Sequence, residues 1–250
     1  LLAGIAHNGG TPILPIYSTF LQRAYDQIIN DLCINNSNAL ILVYRASIYG
    51  NKDMTHLGFN DITMLGNMPN LMYLAPTTVE ELESSIRYGV EHHTHPIAIR
   101  IPVGSPIYET SQSNTTGCPV TSCNITQSGN TIAIIGVGNF YHKAVELSHA
   151  IHDAIHISPT LVKPLCISSL DTDTLNELTK NHNIVITLED GELEGGYGQK
   201  IASYYGKTSM NVLNYGISKQ FYDRYNPEDV LQQNHLDFEH ILDDIQNIQH

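Results

Sequence analysis

Residues 11–45, TPILPIYSTFLQRAYDQIINDLCINNSNALILVYR, decide the fold. Residues 12–16 form a short apolar run before a cluster of hydroxyls and read as a strand. Over residues 20–32, Leu21, Ala24, Tyr25, Ile28 and Leu32 recur at helical spacing, which turns one helix face toward a core. Residues 40–44 are then continuously apolar, the pattern of a strand covered on both faces. Strand, helix and covered strand in succession predict a parallel sheet with right-handed crossovers.

The alternation continues outward. Residues 71–75 repeat the covered-strand pattern, and residues 96–101 form another strand. Between them Thr78-Val79-Glu80-Glu81 reads as a capping box opening a helix to about Val90. Residues 105–130 are rich in Ser, Thr, Asn, Gly and Pro, a linker composition with room for one short strand. Strands follow at 131–136, 160–162, 184–188 and around Val212 and Leu213. Helices are expected at 141–153, 171–181, 198–205, 227–233 and 236–248. The predicted class is α/β: two doubly wound domains with mostly parallel sheets, residues 1–104 and 131–250, joined by the linker 105–130. Residues 1–6 are apolar without a basic flank; they read as part of a helix that continues upstream, not as a signal peptide.

Composition narrows the function classes. The net charge of −13 over 250 residues repels nucleic acid and anionic membranes, so neither is an expected partner. No apolar run is long enough to span a bilayer, and a cytoplasmic protein is expected. The four cysteines, Cys33, Cys118, Cys123 and Cys166, suit reduced thiols at this size. Cys118 and Cys123 have no nearby His, so no metal site is read there.

Open α/β sheets bind ligands beyond the C-terminal ends of their strands. Two segments qualify: Tyr17-Ser18-Thr19-Phe20 with Arg23 one turn later, and the loop 45–61 with Arg45, Lys52, Asp53, Thr55, His56 and Asp61. A polar loop with Arg, His and Asp after a buried strand is a candidate active site. Other signals are weaker. Gly136-Val137-Gly138 reads as a tight turn, because Tyr141 stands where a dinucleotide fingerprint needs a small residue. His92, His93 and His95, and His149, His152 and His156, lack Cys or carboxylate partners at ligand spacing. Glu189-Asp190, ahead of Gly195-Gly196-Tyr197-Gly198, reads as a subunit-contact loop or a surface turn.

Residues 17–27, YSTFLQRAYDQ, resemble a motif of the 1-deoxy-D-xylulose-5-phosphate synthase family of transketolase-type enzymes. Arg45-Ala46, Gly50, Thr55-His56, Gly58, Asp61, Pro69-Asn70, Ala75-Pro76, Glu81-Leu82, Arg100, Pro102 and Gly104 are similar in type and spacing. So are Val162-Lys163-Pro164-Leu165, Thr187-Leu188-Glu189-Asp190 and Gly195-Gly196. The resemblance implies the family's C-terminal two domains, a pyrimidine-binding domain and a transketolase C-terminal domain. It implies thiamine diphosphate and Mg2+ as cofactors, and condensation of pyruvate with glyceraldehyde 3-phosphate in isoprenoid and thiamine precursor synthesis. Phe20 is expected to pack on the aminopyrimidine ring with Arg23 beside it, and Tyr17, Arg45 and His56 to line the substrate pocket.

The family's catalytic Glu precedes the position of Leu1, and its diphosphate and magnesium motif belongs to an N-terminal domain. These 250 residues alone are therefore expected neither to bind the cofactor tightly nor to turn over. A homodimer and that N-terminal domain are the expected partners. The sequence departs from the family at Tyr44 and Lys52, where the family has Asp, and at Val103, where it has a phosphate-binding Arg. These departures leave open a diverged paralogue or split subunit with another acceptor, or a non-catalytic dimerisation or regulatory pair of domains.

Overall fold

The computed structural model describes residues 1–50, 53–91, 94–103 and 121–249. Lys52, His92, His93, Gly104, Cys118 and most of the linker lie outside the described residues.

After α1 (Leu2–His7), four strands form the first sheet: β1 (Ile13–Tyr17), β2 (Leu40–Ala46), β3 (Met72–Leu74) and β4 (Ile97–Pro102). All pairs are parallel, in the order β1-β2-β4-β3. The second sheet holds β5 (Cys123–Gln127), β6 (Thr131–Gly136), β7 (Thr160–Pro164), β8 (His182–Glu192) and β9 (Asn211–Ile217), ordered β5-β7-β6-β8-β9. β5 is the short strand expected within 105–130; it pairs antiparallel with β7 and edges the second sheet. Two α/β domains with mostly parallel sheets are thus present, as the alternation predicts.

The segment predicted as a regular helix over 20–32 is not regular. It runs as a 3-10 helix (Ser18–Ala24), one α-turn, α2 (Tyr25–Gln27), and a π-helical stretch (Ile28–Cys33). Overwinding and then underwinding shift the helical faces relative to a uniform α-helix. Leu21, Ile28, Leu32 and Cys33 are buried, while Tyr25 is left exposed. The remaining helices are α3 (Asp61–Leu65), α4 (Val79–Glu91), α5 (Tyr141–Ile155), α6 (Thr172–Leu178), α7 (Tyr197–Tyr205), α8 (Pro227–Gln233) and α9 (Phe238–Gln249). Asp171 caps α6 through the Thr174 amide, and Asn226 caps α8 ahead of a proline in its first turn. No helix among the described residues is long and apolar enough to cross a membrane.

The capping box of α4 forms only in part. The Thr78 hydroxyl accepts from the Glu81 amide at 3.2 Å, but the Glu81 carboxylate takes the Thr77 amide and hydroxyl at 2.8 and 2.7 Å. Its other oxygen meets Lys163 of β7 at 2.8 Å, with both side chains nearly buried. A lysine from the second domain needs a counter-charge, and Glu81 supplies it.

That pair belongs to a continuous seam. The amide of Ala75 donates to Leu165 and that of Ile167 to Tyr73, each at 2.8 Å, so the β3 edge pairs with the chain leaving β7. Ile41, Val43 and Tyr73 of the first domain share one apolar cluster with Ala133, Ile135 and Val162 of the second. At the centre lies Arg100 on β4, 1% exposed. Its Nε donates to Asp61 at 2.7 Å, and its terminal nitrogens reach the Asp190 side chain at 2.5 Å and carbonyl at 3.2 Å. The Tyr73 hydroxyl donates to Asp61. Burial favours the uncharged form of Arg100, but the Asp190 and Asp61 carboxylates outweigh it and raise its pKa.

Glu189 and Asp190 are therefore not a surface turn: both are fully buried. β8 runs past the predicted end at residue 188 to Glu192, because each acid finds a partner. Asp190 meets Arg100, and Glu189 accepts the Tyr197 and Gly198 amides at 2.9 Å each, at the start of α7. Burial still pushes Glu189 up to about 7, with the two amides opposing.

Two outcomes follow for stability. Arg100→Leu leaves two buried carboxylates without their cation and is expected to cost about 3–5 kcal/mol, read from the shift of the urea midpoint. Glu189 has a folded pKa of about 7 against 4.5 for the free group. The native protein then holds the extra proton between these values, so this group's contribution falls as pH rises through that window. Urea midpoints at pH 5 and pH 8 should show the decline, and Glu189→Gln should flatten it.

Candidate functional site

The C-terminal ends of β1 and β2 bring the two candidate segments together. Ser18 begins the 3-10 turn directly after β1, so Phe20 stands at the sheet's end, and Arg23 follows in the last turn. In the last turn of this 3-10 helix the Arg23 cation sits where the helix dipole favours it. The Arg23 guanidinium lies 5.9 Å from the Phe20 ring centroid. The Thr19 hydroxyl donates to the Thr55 carbonyl at 2.8 Å, tying the β2 loop to this turn.

His56 comes from that loop. Its ring meets Phe20 edge-on, 5.6 Å between centroids. Its Nδ1 lies 3.2 Å from an Asp53 carboxylate oxygen and 2.9 Å from the Thr55 hydroxyl. Asp53 is held down to about 2, by the Thr55 hydroxyl first and then by His56 and the Thr55 amide. Asp53 therefore stays ionised at any ordinary pH and fixes the ring through Nδ1, leaving Nε2 for a ligand.

Phe20, Arg23 and His56 share one cleft of about 630 Å³. Tyr17 and Arg45 do not line it. Tyr17 stacks on the far side of Phe20 at 5.9 Å, beside a second, apolar hollow formed by Pro15, Ile16, Tyr17, Phe20 and Tyr44. The Arg45 guanidinium sits 4.6 Å over the Tyr17 ring. The backbone produces this placement: β2 and β4 shift register between Tyr44 and Ala46, and Arg45 adopts a φ of 55°. Such bulges re-aim a side chain at a strand end. Val103 is exposed just beyond β4, outside the cleft's lining.

The second domain also reaches the cleft, through Glu192 and Phe221. Glu192 lies 3.4 Å from the Thr63 hydroxyl, and burial raises its pKa, with Thr63 and Lys219 opposing. Phe221 is 80% exposed. The residue reading missed both. Glu192 carried a signal only in its closeness to Asp190: it ends β8 two residues later, past a shift of register, and its amide donates to the Phe59 carbonyl of the first domain at 3.0 Å. Phe221 carried none. Among the described residues no group of three His, Cys, Asp or Glu is placed to hold a metal ion.

Gly58 keeps the Arg45 bulge in place. A Cβ there would land on the Arg45 carbonyl, 2.6 Å from the Tyr49 ring and 2.7 Å from the Ser47 carbonyl. Gly58→Ala is expected to destabilise by about 1–3 kcal/mol and to displace Arg45 from Tyr17. Thermal unfolding and a crystal structure of the variant would check both effects.

Residues 1–105 match the family model described as transketolase, pyrimidine binding domain, and residues 121–241 match that of the transketolase C-terminal domain. The chain is 34% identical over 253 aligned residues to a protein of Gloeothece citriformis named 1-deoxy-D-xylulose-5-phosphate synthase. That match spans 98% of this chain and 39% of the relative. A protein of the same name from Clostridium tetani is 31% identical, over 99% of this chain and 40% of its own length. The chain thus spans about 40% of these relatives. A solved structure described as a split-gene transketolase, an inactive beta4 tetramer, superposes with a TM-score of 0.84 at 20% identity. It aligns over 98% of this chain and 78% of that chain, and shows likeness of fold.

Proposed function

Since the chain belongs to the transketolase family, as a pyrimidine-binding domain followed by a C-terminal domain, we propose that it forms part of a thiamine-diphosphate-dependent transferase. On this reading it joins a two-carbon unit from pyruvate, with loss of carbon dioxide, to an aldehyde acceptor. With glyceraldehyde 3-phosphate as acceptor, the product is the 1-deoxy-D-xylulose 5-phosphate of its relatives' name, a precursor in isoprenoid and thiamine synthesis. The observation that carries the reading is Phe20 at the end of β1, with Arg23 and His56 on one side and an apolar hollow on the other.

The residues fit an aromatic cofactor ring. The hollow beside Phe20 is walled by Pro15, Ile16, Tyr17 and Tyr44 and presents little but apolar surface, as a flat heterocycle requires. Phe20 and Tyr17 would hold that ring, with Arg23 and His56 across Phe20 in the cleft. When bound, thiamine diphosphate supplies the carbon nucleophile and electron sink for the carbon–carbon chemistry. His56 Nε2, with Nδ1 fixed by Asp53, would exchange a proton with the substrate oxygen. Arg45, stacked on Tyr17, would offer a planar pair of donors to a carboxylate or phosphate after a modest swing. The diphosphate and Mg2+ would be held by an N-terminal domain, in a cytoplasmic homodimer.

A second reading, a paralogue on the same scaffold acting on another acceptor, is favoured by Glu192 in the cleft and by Val103 at the end of β4.

In the complete enzyme, His56→Asn is expected to lower kcat about 100-fold or more, with little change in cofactor affinity. Phe20→Ala should weaken thiamine diphosphate about tenfold, measured by calorimetry. Pyruvate-dependent release of carbon dioxide is the decisive assay. A complete protein inert with pyruvate and every aldose or aldose phosphate offered would leave only a dimerisation or regulatory role.

A further inference from the structure

We propose that Tyr49 is a positioning residue for His56: its hydroxyl fixes the peptide that follows the histidine, and with it the direction in which the imidazole enters the cleft. The inference rests on the transferase reading above, in which His56 exchanges a proton with the substrate, and adds a residue that acts through it. The Tyr49 hydroxyl donates to the His56 carbonyl at 2.8 Å. The preceding carbonyl, that of Thr55, accepts from the Thr19 hydroxyl at 2.8 Å. Peptide units are planar, so a hydrogen bond to each carbonyl orients the plane on either side of the His56 Cα. Those two planes set φ and ψ of His56 and hence the path of its Cα–Cβ bond. The His56 amide, donating to the Asp53 carbonyl at 3.0 Å, closes the same turn from within.

Tyr49 is itself held from several sides. Its ring lies against Gly58, where a Cβ would stand 2.6 Å from the tyrosine Cε1. The Ser47 amide donates to the Gly58 carbonyl at 2.8 Å, so the two limbs of the loop are joined beside the tyrosine. Gly50, the next residue, abuts the second domain: a Cβ there would lie 2.8 Å from the Pro227 Cδ and 2.9 Å from the Tyr225 carbonyl. Ile48, Leu57 and Phe59 pack into the apolar cluster that β6, β8 and α5 build in the second domain. The hydroxyl thus reaches His56 from a ring braced by packed backbone. Asp53 and Thr55, which touch the imidazole itself, are exposed, and exposed polar pairs hold a side chain weakly. The anchor on the packed side of the loop is therefore the one that keeps the ring in place, as a site needs its supporting contacts. Burial raises the pKa of the Tyr49 hydroxyl, with Arg45 opposing, so the group remains a donor at ordinary pH.

The test is made in the complete holoenzyme, with pyruvate as donor and D-glyceraldehyde 3-phosphate as acceptor. Tyr49→Phe removes the hydroxyl and keeps the ring. It is expected to lower kcat about tenfold, with KM for either substrate changed by less than about twofold. Made on top of His56→Asn, the same substitution should change kcat by less than about twofold, because the residue it positions is gone. An unchanged kcat in Tyr49→Phe, or an equal loss with and without His56, overturns the proposal. Circular dichroism establishes that the variants are folded. If the wild type consumes no pyruvate with any acceptor offered, the transferase reading fails, and the ring nitrogens of His56 decide the positioning. Nitrogen NMR of the complete protein labelled at histidine reads them without turnover, with His56→Asn assigning the resonances. In the neutral wild-type ring Nδ1 should carry the proton, donated to Asp53; in Tyr49→Phe both shifts should move toward those of a free imidazole that averages its tautomers. Identical ring shifts in the two proteins overturn the proposal.

Discussion

Everything around the cleft depends on Arg100. It is fully buried on β4 and held by Asp61 of its own domain and Asp190 of the other. A guanidinium in the interior is tolerable only with its counter-charges in place, so the two domains cannot pack in a different register without leaving a charge bare. The planar fork of arginine reaches both carboxylates and a carbonyl at once, which an ammonium group could not do in the same geometry. This fixes how β8 approaches the first sheet.

The geometry of the cleft follows from that fixed approach. Asp61 opens α3 directly after the loop that carries His56, so the residue that anchors Arg100 also ends that loop. On the other side, Asp190 sits two residues before Glu192, which ends β8. One ion-pair network thus positions the histidine loop of the first domain and the acid of the second against the same space. Lys163 and Glu81 repeat the device on a smaller scale along the seam. Backbone pairing of β3 with the chain after β7 then makes the two sheets nearly continuous.

The βαβ order was legible because apolar periodicity reports burial directly: residues 40–43 and 71–75 are largely covered on both faces and read so, while Tyr44 at the end of the run is exposed. The segment 20–32 was legible as helical but not as a mixture of 3-10, α and π turns, since winding is chosen by the packing of Leu21, Ile28 and Cys33 and not by spacing. Phe20, Arg23 and His56 were found by residue type and motif, and the fold does bring them together. Tyr17 and Arg45 were found as well, but the bulge at Arg45 turns them to the other side of Phe20, and no local pattern announces that bulge.

By itself, the sequence determined the α/β class, the two-domain order, the family resemblance and the aromatic and cationic residues at the end of β1, because these reside in local periodicity and local motif. Only the tertiary structure decided that Glu189 and Asp190 are interior, that Arg100 joins the domains, and that Glu192 faces the cleft. A short acidic run reads as solvated until its partners are known. Here the partners lie about 90 residues away for Arg100 and in a helix N-terminus for Glu189. Compensation of charge across such a distance in sequence is a property of the folded arrangement alone.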